Sequence, residues 1–330
     1  MPSSLSRTGQ TAKSAALVVC GVAMMARYLF AGQGAVLAFH GLRADAEPTG
    51  VLDESLHLPI SVFRTICQHL AAKYQVMPLT EMAATLAAGE KLPSKAVAIT
   101  FDDGYASNYE LGFPVLREFG LPATIFLATG FLDRTYPLWF QQVDLALGIN
   151  QRGALTESLA KKLVLLKTLP DSEMRLQVHR LVERAGDTLL EKNPAVTQAL
   201  TWDQVREMQA TGLIEFGGHT HTHPILARCS LEQQAREIET CSNRIQEELG
   251  VSPTLFAFPN GGLGDHSQET LRLLKAAGFT SAWTMVSGRA SARHSIMEMP
   301  RYGAPESGWE TEATVSGAFE LLKHWRGGVA

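Results

Sequence analysis

Two adjacent carboxylates, Asp102 and Asp103, precede Gly104, and three imidazoles, His219, His221 and His223, fall within five residues of a chain that holds only 10 histidines. Neighbouring aspartates at a strand end point in different directions, so one can bind a cation while the other stays free as a base. An isolated Asp-Asp-Gly is more often a turn or a helix cap. The histidine run changes that weighting. Imidazoles suit Zn2+, and two of them with one carboxylate make three protein ligands and leave a position open. Spacing does not choose among the three histidines; in an extended segment all would lie on one face. His40-Gly41 and Pro259-Asn260-Gly261 add two further polar clusters.

Each cluster begins where an apolar run stops: after Phe39, after Phe101, after Phe216 and after Phe258. The predicted strands are Ala35–Phe39, Ala96–Phe101, Ala123–Ala128, Leu213–Phe216, Leu255–Phe258 and Thr280–Met285. Amphipathic helices alternate with them, which is the pattern of a parallel β/α architecture. Phe63, Ile66, Cys67 and Leu70 fall at helical spacing. Thr201 with Gln204, and Ser230 with Gln233, read as helix caps, and Gly212 and Gly250 as helix ends. In a parallel barrel the strand ends share the face that carries active sites, so four separate segments converge on one mouth. Residues from about Leu138 to Leu200 show helical patterns without a strand and are predicted to be a helical insertion.

A charge balance of 29 − 33 = −4 gives no basic footprint for nucleic acid. Cys20, Cys67, Cys229 and Cys241 form no C-x-x-C pair, so a thiolate zinc site is not expected and the thiols read as free. The apolar run from Ala15 to Ala26 is short for a membrane span and ends at Arg27. It is predicted to be a helix packed on the domain, so that residues 1–34 form a helical segment and 35–330 the barrel with its insertion at about 138–200. No stable membrane span and a cytoplasmic location are expected; an anchoring or export role for the apolar run is the alternative.

The motifs resemble those of the polysaccharide deacetylase family with the NodB-homology domain. Thr100-Phe101-Asp102-Asp103-Gly104 is similar to its T-F-D-D-G, and His219-Thr220-His221-Thr222-His223-Pro224 to its H-[S/T]-x-x-H-P. Leu121-Pro122-Ala123-Thr124-Ile125-Phe126-Leu127 resembles a family strand, and Phe256-Ala257-Phe258-Pro259-Asn260-Gly261 its third motif. The resemblance runs from about Val36 to Arg301 and implies a distorted (β/α) barrel with fewer than eight strands. It implies removal of acetyl groups from N-acetylated glycans with a divalent metal, Zn2+ first among the transition ions. Residue by residue, it makes Asp103, His219 and His223 the metal ligands and Asp102 the general base. Thr220 would brace the loop, and His221 would not be a ligand.

The chain departs from the commonest family pattern in lacking a late Leu-x-His, the usual source of the general acid; His294 and His324 sit in no such motif. The proton is still needed, because an amide nitrogen cannot leave as an anion. His40 resembles the early Y-H motif of members with a permuted barrel order and is the expected acid. Arg301 resembles the late arginine of the same subgroup and would hold Asp102 ionised. Trp283 is a candidate for the acetyl-methyl pocket, and Trp139 and Phe140 for a sugar-binding wall. Two other readings compete. Two histidines and a carboxylate also describe Fe(II) oxygenases, which usually sit on antiparallel barrels and would consume oxygen. A catalytically inactive sugar-binding homologue would have lost Asp102 or a ligand, and none is lost. The oligomeric state and the glycan itself are not written in the motifs.

Overall fold

The computed structural model describes residues 4–46, 49–150, 155–186 and 194–325. Its strands are β1 (Ala35–Phe39), β2 (Gly41–Arg43), β3 (His57–Pro59), β4 (Gln75–Val76), β5 (Ala96–Phe101), β6 (Ala123–Leu127), β7 (Ile214–Gly218), β8 (Leu255–Ala257), β9 (Ser281–Trp283) and β10 (Tyr302–Gly303). The main sheet runs β10-β1-β5-β6-β7-β8-β9, with β4 beside β5. Every pairing in it is parallel. Trp283 of β9 bridges in parallel to Met299, and Tyr302 of β10 pairs with Leu37 of β1, so residues 299–303 join the two edges into a distorted (β/α) barrel. The antiparallel barrel that usually carries an Fe(II) oxygenase site is not this architecture.

Period-two alternation sorts the strand side chains into two layers. Val36, Ala98, Phe126, Ala257, Trp283 and Met299 cluster together with Met82 and Leu86 of helix Leu79–Ala87. Their neighbours Leu37, Phe39, Val97, Ile99 and Phe101 pack instead against Phe63, Ile66, Cys67 and Leu70 of helix Ile60–Lys73. That is why β1 and β5 read as continuous apolar runs: both faces are buried. Each large apolar side chain so buried contributes about 1.5–3 kcal/mol.

The predicted strands occur with small shifts. β7 was expected to stop at Phe216, but it continues through Gly217 and Gly218. The glycines are strand residues because the neighbours leave no space: a Cβ at Gly217 would lie 2.7 Å from the Leu255 carbonyl oxygen and 2.7 Å from the Phe126 ring. Thr201 and Gln204 form the expected capping box, and Gly250 closes helix Leu231–Leu249 in the left-handed region.

Helices Ser4–Val19 and Val22–Leu29 meet at Gly21, whose φ of +78° makes the corner. Leu17 and Ala23 pack on Ala313 and Ala318. Among the described residues no single helix is long and apolar enough to cross a membrane, although the bent pair Gly9–Val19 and Val22–Leu29 together has the length and composition. The segment predicted to be an insertion holds helices Trp139–Asn150, Leu155–Thr168 and Asp171–Ala185, packed through Trp139, Val143, Leu159, Leu166, Met174 and Val178. All four cysteines are free thiols.

Candidate metal centre and active site

β5 delivers the carboxylates. Asp102 continues the strand, its N–H donating to the Phe39 carbonyl at 2.8 Å; the chain then turns, with Asp103 and Gly104 at φ of +74° and +86°. The left-handed turn sends the two side chains apart. Asp102 meets Arg301, whose Nη1 and Nη2 donate to its two oxygens at 2.7 and 2.8 Å. Arg301 is wholly buried, with Nε on the Thr284 carbonyl at 3.1 Å and Nη1 on the Thr100 hydroxyl at 3.1 Å. Burial pushes the Asp102 pKa up, but Arg301, His219 and His40 outweigh it and hold the carboxyl below its ordinary range.

The histidine segment is a turn, not the extended stretch that would have put all three imidazoles on one face. Thr220 and His223 have φ of +64° and +57°. The Thr220 hydroxyl donates to the His219 carbonyl and accepts from the His223 N–H at 3.1 Å. Glu237 of helix Leu231–Leu249 accepts the His221 and Thr222 N–H groups at 2.9 and 2.7 Å and the Thr222 hydroxyl at 2.6 Å. Only His219 and His223 face Asp103, their Nε2 atoms 3.5 and 3.1 Å from its Oδ1. His221 turns away to the Thr129 hydroxyl, 2.9 Å from its Nδ1, and to the Tyr136 ring.

Ligand atoms of Asp103, His219 and His223 lie within 4.8 Å of one another, and all three residues are buried. The His219 Nδ1–H donates to the Ala257 carbonyl at 2.8 Å, which leaves Nε2 facing Asp103. Neither oxygen of Asp103 receives a hydrogen bond of good geometry among the described residues. A buried carboxylate without donors beside two imidazole nitrogens is the donor set of a three-ligand divalent metal site with room for exchangeable ligands. Burial acts to raise the Asp103 pKa, yet His223 and His219 hold the carboxyl well below its ordinary range, which keeps it an anion.

A cavity of about 350 Å3 opens over these residues, lined by His40, Asp102, Asp103, His219 and His223 on the barrel side. His40 follows β1 as the sequence suggested, and its carbonyl accepts from Asn108 Nδ2 at 2.7 Å. Phe258 and Asn260 reach the lining from the third motif. Pro259 does not line the cavity; its carbonyl accepts the Gly261 N–H at 2.7 Å in the turn that presents those two residues. Trp139 and Phe140 line the cavity, and the Phe140 ring meets the His223 ring edge-on with 5.3 Å between centroids. Trp283 does not line the cavity. It is fully buried on β9 among Phe126, Ala257 and Met299, its Nε1 satisfied by Ser281, so it fills the barrel core. His294 and His324 stand apart from the lining, against Ser291 and Phe30. Sequence reasoning missed Asp53, Ser55, Leu163, Lys167, Ile225 and Met285, which come from loops and from the insertion and carry no motif.

A barrel whose strand ends hold an Asp-Asp pair, an Asp-His-His cluster and an arginine-clamped carboxylate matches a known family. Residues 89–282, more than half of the chain, match the family described as polysaccharide deacetylase, and the chain belongs to that family. It is 23% identical over 228 residues to the "Putative polysaccharide deacetylase YxkH" of Bacillus subtilis (strain 168), covering 69% of this chain and 58% of that protein. It is 24% identical over 246 residues to the "Poly-beta-1,6-N-acetyl-D-glucosamine N-deacetylase" of Escherichia coli (strain K12), covering 66% of this chain but only 29% of that protein. The chain thus spans less than two thirds of both curated relatives. The Streptococcus pyogenes deacetylase PplD, solved in complex with acetate, shares the fold with a TM-score of 0.61 at 18% identity, over 86% of this chain and 98% of that one. IcaB from Ammonifex degensii does so with a TM-score of 0.56 at 19% identity, over 87% and 98%.

Proposed function

We propose that the protein is a metal-dependent hydrolase that removes acetyl groups from N-acetylated sugars of an oligo- or polysaccharide. The observation that carries this reading is the convergence of a paired base, a three-ligand cluster and a free imidazole on one cavity. The similarity to a poly-beta-1,6-N-acetyl-D-glucosamine N-deacetylase supports an N-acetylhexosamine polymer as the substrate class.

Asp103, His219 and His223 would hold the ion, with Zn2+ the first candidate for this donor set. When bound, such an ion lowers the pKa of a water and polarises the acetyl carbonyl. Asp102 takes the proton of the attacking water. Its clamp to Arg301 keeps it ionised and fixes both oxygens, so the base is charged and oriented before substrate arrives. His40, on the same cavity, donates the proton that lets the sugar nitrogen leave as an amine. Trp139, Phe140, Leu56 and Leu163 offer apolar walls against which a sugar ring packs.

The test is acetate release from a panel of N-acetylated glycans by metal-loaded protein, with a chelated control and D102N. The expected result is release by the loaded wild type only, with D102N keeping its metal and losing turnover by about 10² or more, the scale of a positioned base. Full activity of D102N would overturn the assignment of the base.

A further inference from the structure

Among the described residues Lys167 is the one Lys or Arg in the cavity lining, where the other charged groups are the site histidines and the carboxylates Asp53, Asp102 and Asp103. It stands in the last turn of the insertion helix Leu155–Thr168, in a wall otherwise made by Trp139, Phe140 and Leu163. An ammonium carries three N–H donors. One goes to Asn260 Oδ1 at 2.6 Å, and among the described residues the Lys167 ammonium forms no other hydrogen bond or ion pair. Asn260 is held in turn by Asp265 Oδ2 at 2.6 Å, so the acceptor is fixed at the cavity rim. The helix end is tied down as well: Arg228 Nε donates to the Lys167 carbonyl at 3.2 Å. The result is a half-buried cation in the cavity lining, pinned on one side by a neutral amide.

Cations are seldom buried without a partner, because desolvation disfavours the charged form. Burial does act on Lys167 to lower its pKa, and Asp265 and Asp53 offset this only from a distance. A glycan carrying an ammonium would need a free carboxylate here instead. Asp53 has one oxygen engaged: its Oδ1 caps the turn Glu54–Leu56 through a bond from the Ser55 N–H at 2.9 Å.

Building on the deacetylase reading, we infer that Lys167 is a specificity-determining residue that receives an oxyanion of the substrate, a carboxylate or a phosphate on the glycan near the N-acetylated sugar. The insertion then selects acidic glycans over neutral ones, while the barrel supplies the reaction.

The experiment compares kcat/KM of metal-loaded wild type, K167Q and K167R on three substrates. These are a neutral N-acetylglucosamine oligomer, an oligomer alternating N-acetylglucosamine with N-acetylmuramic acid, and an N-acetylglucosamine oligomer bearing a phosphate monoester. Ratios between substrates on the same sample cancel any loss of folded protein. Wild type should prefer at least one acidic substrate, K167Q should lose that preference by about 10- to 100-fold, the scale of one charge-assisted hydrogen bond, and K167R should retain most of it. Preference for the muramate substrate assigns a carboxylate, and preference for the phosphorylated one assigns a phosphate. Equal kcat/KM on neutral and acidic substrates in wild type, or ratios unchanged in K167Q, overturns the inference and leaves the deacetylase reading standing. Failure of wild type to release acetate from any substrate overturns both.

Discussion

Replacing Arg301 by methionine should disable the enzyme in a pH-dependent way. The guanidinium meets Asp102 with two bonds of 2.7 and 2.8 Å, and neither residue is exposed beyond 2%. Methionine fills much of the stem volume but leaves the carboxylate without its cation. Burial is the largest influence on Asp102 and raises its pKa; Arg301 is the first of the charges that reverse this. Losing an opposite charge at contact distance moves a carboxyl pKa up. Asp102 accepts a proton only when ionised, so the acid limb of kcat/KM against pH should move upward. A bound ion acts in both proteins, so the difference belongs to Arg301. Stability follows the same sign. In wild type the lowered pKa gives a contribution present above the unfolded pKa and lost as pH falls through the folded one. In R301M the folded pKa is higher than in wild type, so less of that contribution is present near neutrality. Breaking a buried pair from one side costs about 3–5 kcal/mol, a deficit that should be largest near neutrality and shrink in acid. Urea titrations and acetate-release profiles across the same pH range measure both. A folded R301M whose acid limb stays where wild type has it would refute the reasoning.

Three further predictions follow from other parts of the molecule. H219A and H223A should each lose stoichiometric metal, measured by elemental analysis, whereas H221A should keep it, because His221 faces Thr129 and Tyr136; equal loss from all three would reassign the ligands. H40A should cripple hydrolysis of an N-acetyl sugar and largely spare an aryl acetate, whose phenolate leaves without an acid; equal losses on both would make His40 structural. At the N-terminal helices, Glu312 is buried among Arg27, His69 and Tyr74, and although burial raises its pKa these partners bring it below the ordinary value. E312Q should therefore lose about 1–3 kcal/mol near neutral pH, with the deficit narrowing as pH falls through the low folded pKa of wild type; thermal melts that show the same deficit at all pH values would contradict this.

What the sequence displayed and what it hid divide along physical lines. β1, β5 and β6 were legible because strands buried on both faces are runs of apolar residues with sharp ends, and the ends put Asp102 and His40 in place. β4 and β10 are two residues long and carry no periodicity to detect. The choice of His219 and His223 over His221 came from resemblance, since it depends on left-handed φ at Thr220 and His223, which neither residue type advertises. Trp283 was misplaced because an aromatic at a strand end reads equally as a site wall or as core, and its position one layer inside the barrel is a matter of register. Lys167 was invisible for the opposite reason. A lysine near the end of an amphipathic helix reads as a solvated charge favoured by the helix dipole, and only the packing of the insertion turns it toward Asn260 and the cavity. The barrel strands therefore declare the chemistry in their own motifs, while the selection of substrate rests on side chains whose role exists only once two distant segments have packed.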